Sequence, residues 1–119
     1  MPEEKSKSAV FFVDRRRSER RVQVNVPVEV SHADSEGRTI SEHTFIEDVS
    51  DFGCRFTTRS PAKQGETCSV TLLGPGGKSL PDEQPRLYEI MWVAAKGQHF
   101  TMGARLLKGD KLVDVDSHP

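Results

Sequence analysis

Five arginines, Arg15, Arg16, Arg17, Arg20 and Arg21, lie within seven positions of a chain whose formal net charge is only -1. The guanidinium fork pairs bidentately with phosphate and stays charged at any ordinary pH, so this density of arginine points to a phosphate-bearing partner. A second polar group follows in Asp48-Val-Ser-Asp-Phe-Gly53, where Asp, Ser and Gly have the spacing Asp-x-Ser-x-x-Gly. Asp48 can accept hydrogen bonds, Ser50 can accept or donate, and Gly53 permits a close backbone approach. Each group also has a plainer reading. Arg17-Ser-Glu-Arg-Arg21 is equally a solvated basic edge, and the hexapeptide is equally a turn in which Asp and Ser bond their own backbone while glycine supplies a positive φ.

The elements that must position these residues read as β-strands. Valine occupies every even position from Val22 to Val30, a period of two that places one face of a strand against a core. The turn formers of Ser31-His-Ala-Asp-Ser-Glu-Gly-Arg38 follow, then an extended stretch over 39–46, which together predict a hairpin. Further strands are expected over 53–58, 67–73, 87–94 and 99–107, parted by Pro and Gly. Six short strands without a helix predict an all-β fold, a closed or nearly closed six-stranded antiparallel barrel. The barrel domain is expected over 14–107, with a flexible N-terminal arm over 1–13 and a short C-terminal tail over 108–119. Within the fifth strand, Tyr88, Ile90 and Trp92 alternate, and Trp92 is expected in the core.

Composition and spacing exclude several chemistries. With 34% hydrophobic and 29% charged residues, the 119-residue chain suits one soluble domain, expected to be cytoplasmic. Its longest apolar run near the amino end, Ala9 to Val13, is too short for a signal-peptide core and far too short to span a bilayer. Gly76-Gly77-Lys78-Ser79 ends like a phosphate-binding loop, but Leu72 stands where the first glycine belongs and Pro81 and Pro85 occupy the required helix. His32, His43, His99 and His118 are scattered and expected to be solvated, with no metal-ligand spacing. Cys54 and Cys68 form no Cys-x-x-Cys, and at least one is expected to be buried and reduced. No nucleophile elbow or triad spacing is present, so neither an enzyme nor a cofactor is expected.

In order along the chain, Arg17-Ser-Glu-Arg-Arg21, the Val-x-x-Pro-Val-x-Val cadence of Val24 to Val30, Asp48-Val-Ser-Asp-Phe-Gly53, the Trp92 strand and Met102-Gly-Ala-Arg-Leu106 resemble the PilZ domain family. The resemblance covers roughly 14–107 and implies a bacterial receptor for cyclic di-GMP, with Arg17, Arg21, Asp48, Ser50 and Gly53 in the binding site. An arginine at Arg16 implies two stacked, intercalated ligand molecules. The implied roles suit the residues. Arginine can serve phosphate, guanine O6 and N7, and the base face, and a carboxylate can accept from guanine N1-H and N2-H2. The family implies an unidentified downstream protein and control of motility, exopolysaccharide and biofilm, or virulence. The alternatives are a degenerate adaptor that keeps the barrel without the nucleotide, and a nucleic-acid-binding barrel. The latter is disfavoured by an expected scarcity of surface aromatics on a binding strand. The family's usual carboxyl-terminal helix has no counterpart in Lys108 to Pro119, which leaves open what lies across the barrel's end.

Overall fold

The structure, a computed structural model, describes residues 21–110 and 112. The proposed arm over 1–13 and the site candidates Arg16 and Arg17 lie outside the described residues. Six strands form: β1 (Val22–Ala33), β2 (Thr39–Val49), β3 (Gly53–Thr58), β4 (Thr67–Leu72), β5 (Arg86–Lys96) and β6 (His99–Lys108). All neighbours are antiparallel, and the ring closes in the order β1-β2-β3-β6-β5-β4. The six-stranded antiparallel barrel expected from the period-two pattern is thus the observed architecture.

Alternation explains which side chains fill it. Val28 and Val30 of β1, Cys54 and Phe56 of β3, Cys68 and Val70 of β4, and Tyr88 and Ile90 of β5 all point inward. With Ile46 and Met102 they fill the interior, and burial of such side chains contributes roughly 1.5–3 kcal/mol each before entropy is counted. Both cysteines are free and buried.

The alternation continues past the valines to His32, which is 4% exposed rather than solvated. It occupies the next even position after Val28 and Val30, so the strand's own period turns it inward. Its Nδ1 donates to the Ala33 carbonyl at 3.1 Å, while Nε2 is buried without a hydrogen-bond partner.

The 34–38 turn that joins β1 to β2 is fixed by one side chain. Asp34 Oδ1 accepts from the N–H groups of Glu36 and Arg38, both at 2.8 Å, and Oδ2 faces Arg38 Nε at 3.2 Å. These donors hold its carboxyl below the usual range, the Arg38 backbone N–H most of all. The long break after β4 contains only the 3-10 turn Pro75–Gly77, with no helix to cradle a phosphate.

Candidate functional site

The position of Asp48 depends on a bulge. Ile46 pairs with Phe56 and Asp48 with Arg55, so β2 spends two steps where β3 spends one, and Glu47 is the extra residue. By simple alternation Asp48 would follow Ile46 into the core. The bulge instead aligns it with Arg55, which lies between inward-facing Cys54 and Phe56 and therefore points outward. Val49 then pairs with Cys54 and turns inward.

Two guanidiniums flank the Asp48 carboxylate. Arg55 Nε lies 2.8 Å from Oδ2, and Arg21 Nη2 lies 3.7 Å from Oδ1. Glu47 Oε1 is 3.6 Å from the same Arg55 Nε. The Asp48 side chain is only 11% exposed, whereas Arg55 is 38% and Arg21 46% exposed, so the arginines form the outer layer. Proximity has not become hydrogen bonding. Asp48 Oδ1 and Arg55 Nε are buried with no hydrogen-bond partner, although each lies at ion-pair distance from an opposite charge. Asp48 is thus an acidic neighbour of Arg21.

Ser50 and Gly53 build the turn that follows. Ser50 Oγ accepts from the N–H groups of Phe52 and Gly53, both at 3.2 Å, and the Ser50 N–H donates to the Gly53 carbonyl at 2.9 Å. Its lone pairs thus serve the turn, leaving the hydroxyl proton to donate. Gly53 is not among the glycines with positive φ, so the expected conformational role is corrected. Space demands it: a Cβ there would stand 2.0 Å from the Ala104 carbonyl oxygen on β6. The close approach is to the neighbouring strand. Phe52 projects from the turn at 63% exposed.

Trp92 also departs from expectation, being 41% exposed instead of core. Ile90 pairs with Ala104 and Trp92 with Gly103, so Met91 is a second extra residue and shifts Trp92 to the outer face. Its indole covers Gly103, where a Cβ would meet Nε1 at 2.1 Å. Because Arg55 pairs with Gly103 across β3 and β6, one lateral row runs from Gln23 through Asp48 and Arg55 to Gly103 and Trp92. Sequence reasoning missed Arg55 altogether. The available signal was its period-two partnership with Cys54 and Phe56, which sets it outward two residues after the motif's glycine. Phe45 on β2, Phe52 in the turn and Trp92 on β5 are all exposed.

Behind the turn, a small hollow is lined by Val49, Ser50, Gly53, Tyr88 and Leu112. Arg86 ties down the chain after β6, donating from Nε to the Asp110 carbonyl at 2.9 Å and from Nη1 to Glu83 Oε1 at 2.8 Å. The barrel end beside the site is therefore met by Leu112, which packs on the core cluster. No group of three or more His, Cys, Asp or Glu among the described residues could hold a metal.

A small barrel filled by its own side chains has no central room for a ligand, so a binding site must lie on its wall or at its ends. The outward row and turn described above lie on that wall. The chain belongs to the PilZ domain family, whose model matches residues 14–113. PilZ is a family of c-di-GMP receptors, and its domains are typically non-catalytic.

Solved structures share the fold. The Bacillus subtilis inhibitor of motility, MotI/DgrA, is similar at TM-score 0.56 and 11% identity, over 78% of this chain and 43% of that one. The K. pneumonia MrkH-c-di-GMP complex is similar at TM-score 0.53 and 16% identity, over 80% and 46%. The PilZ domain of YcgR from Escherichia coli, solved with c-di-GMP, matches at TM-score 0.52 and 16% identity, over 79% of each chain. The chain thus covers less than half of the first two proteins. No curated protein matches it by sequence. No helix among the described residues is long and apolar enough to cross a membrane.

Proposed function

We propose that this PilZ domain binds cyclic di-GMP on the outer wall of its barrel and passes the signal to a partner protein. The observation that carries the reading is the outward Asp48, buried between Arg21 and Arg55 with one oxygen accepting no hydrogen bond. Guanine N1-H and N2-H2 are the donors such a carboxylate lacks. A ligand phosphate would draw the Arg21 guanidinium from Asp48 and open that oxygen. Ser50 has a proton to donate beside it, and Gly53 keeps the turn against β6.

Arg16 and Arg17 complete the cationic side of the site in this reading. Ligand binding orders the segment over 1–21 onto the wall, creating the surface that the downstream protein reads. Arg16 accompanies two intercalated ligand molecules per chain. Control of motility, exopolysaccharide or virulence is the expected output. A nucleic-acid partner is disfavoured because Arg38, Arg55, Arg86 and Arg105 are each already at ion-pair distance from a carboxylate, which leaves no basic stripe through them.

Isothermal titration calorimetry with cyclic di-GMP, using GTP and cyclic GMP as controls, tests the reading. Selective saturation at two ligands per chain is the expected result; saturation at one removes the intercalated pair. Absence of binding leaves the degenerate adaptor. Amide exchange over 1–21 that does not slow with ligand overturns the ordering step.

A further inference from the structure

Arg55 belongs to neither motif, yet among the described residues it is the closest charged neighbour of Asp48, with Nε 2.8 Å from Oδ2 on the adjacent strand. The two side chains stand side by side in one outward row, and Arg55 is the more exposed. Together they offer a fixed order of groups: two carboxylate acceptors, then guanidinium donors. Guanine carries the complement along one edge, with N2-H2 and N1-H as donors and O6 as the adjacent acceptor. We infer that Arg55 is a specificity-determining residue, donating to guanine O6 while Asp48 accepts from N1-H and N2-H2 of the same base. The inference rests on the cyclic di-GMP reading and deepens it.

The geometry explains both orphaned atoms with one ligand edge. Asp48 Oδ1 has no hydrogen-bond donor, and Arg55 Nε is buried and misaligned despite its short distance to Oδ2. A guanine edge seated on the pair supplies the missing donors to Asp48 and an acceptor to the exposed part of the guanidinium, letting the two side chains settle into alignment. Arg55 is also held from its other side by Glu47 Oε1 at 3.6 Å, so the fork is restrained before ligand arrives.

Adenine fails at both positions. Its N1 lone pair would face a carboxylate, and its N6-H2 would face the guanidinium donors. Mispaired buried polar groups reject a ligand far more strongly than a lost apolar contact does. The pair therefore selects guanine-containing over adenine-containing cyclic dinucleotides, independently of the phosphates that both carry.

The test is competition binding of cyclic di-GMP and cyclic di-AMP to the full 119-residue chain and to Arg55→Met and Arg55→Lys. Arg55 is a surface residue, so both variants should fold, and melting curves check this. Arg55→Met is expected to bind cyclic di-GMP about 10–100-fold more weakly, the range of a lost specific base contact. Cyclic di-AMP affinity should change much less, so the guanine preference contracts. Arg55→Lys keeps the charge without the fork and should recover less than half of the lost preference on a logarithmic scale. An equal fall for both ligands, or full recovery by lysine, would reduce Arg55 to a source of charge and overturn the inference. An unchanged preference in Arg55→Met would also overturn it while leaving the receptor reading intact. Wild-type protein that binds neither dinucleotide would overturn both.

Discussion

Asp48 and Arg21 offer the sharpest test at the scale of single residues because they already touch without ligand. Asp48→Ala should weaken cyclic di-GMP binding by about 1–3 kcal/mol, since it removes a charged acceptor. Arg21→Ala should cost affinity to a similar degree through the lost phosphate contact, but also remove the guanidinium 3.7 Å from Asp48. Calorimetry on each variant and on the pair checks this. Because ligand must break the Arg21–Asp48 pair of the free protein, each single variant is relieved of that cost, and the double variant should lose more than the sum of the singles. The residues of the two motifs were legible in the chain because Arg-x-x-x-Arg and Asp-x-Ser-x-x-Gly have fixed spacings. Arg55 and Trp92 were not, because their roles depend on which strand lies beside them. Their sequence neighbours, Cys54 and Phe56 for one and Met91 for the other, announce only strand.

Strands themselves were the readable part, since alternating valines and turn formers act locally. All six lie where they were expected, four with ends extended by a few residues, as β2 to Val49 and β5 to Lys96, while β4 stops one residue short at Leu72. Bulges were not readable. Glu47 and Met91 look like ordinary strand residues, and only the pairing with β3 and β6 reveals them as extra. Yet the bulges decide the site, because a one-residue slip sends every following side chain to the other face. Deleting Glu47 should therefore turn Asp48 toward the apolar interior and destabilise the barrel by several kcal/mol, roughly the cost of burying an unpaired carboxylate. Glu47→Ala keeps the extra residue and loses the 2.6 Å bond from Thr57 Oγ1, worth about 1 kcal/mol, together with the 3.6 Å ion-pair contact to Arg55. Urea unfolding of the two variants separates register from side chain. Gly53→Ala belongs to the same scale. The new methyl would meet the Ala104 carbonyl, so β3 must part from β6, at a cost of about 1–3 kcal/mol and with weaker ligand binding, measured by urea midpoint and calorimetry.

Across the whole molecule, the site turn, the start of β1 and the chain around Leu112 gather at one end of the barrel, over a layer that contains Cys54, Cys68 and Tyr88. The layer is held neutral. Burial pushes the Cys68 thiol from 9.0 up to about 12. Burial, and then the proximity of Cys68, raises Cys54, while burial followed by Cys54 raises Tyr88. The thiols should accordingly resist alkylation in the folded chain at neutral pH, since the reactive form is the thiolate. The linkage to stability has a definite sign. Each group holds its proton more tightly folded than unfolded, so its contribution is complete below the unfolded value near 9.0 for a thiol and is lost as pH rises through the folded value. The urea midpoint should be insensitive to these groups from pH 7 to about 8.5 and then fall steadily toward pH 11, where unfolding releases protons that the barrel retains. Cys68→Ala removes one of the titrating groups and should make that fall shallower, even though its midpoint at pH 7 is lower from the lost packing. A fall of the same steepness in Cys68→Ala would show that the alkaline transition belongs to other groups. Because Val49, Ser50 and Gly53 line the hollow with Tyr88, loosening this layer at high pH should weaken ligand binding before the barrel unfolds.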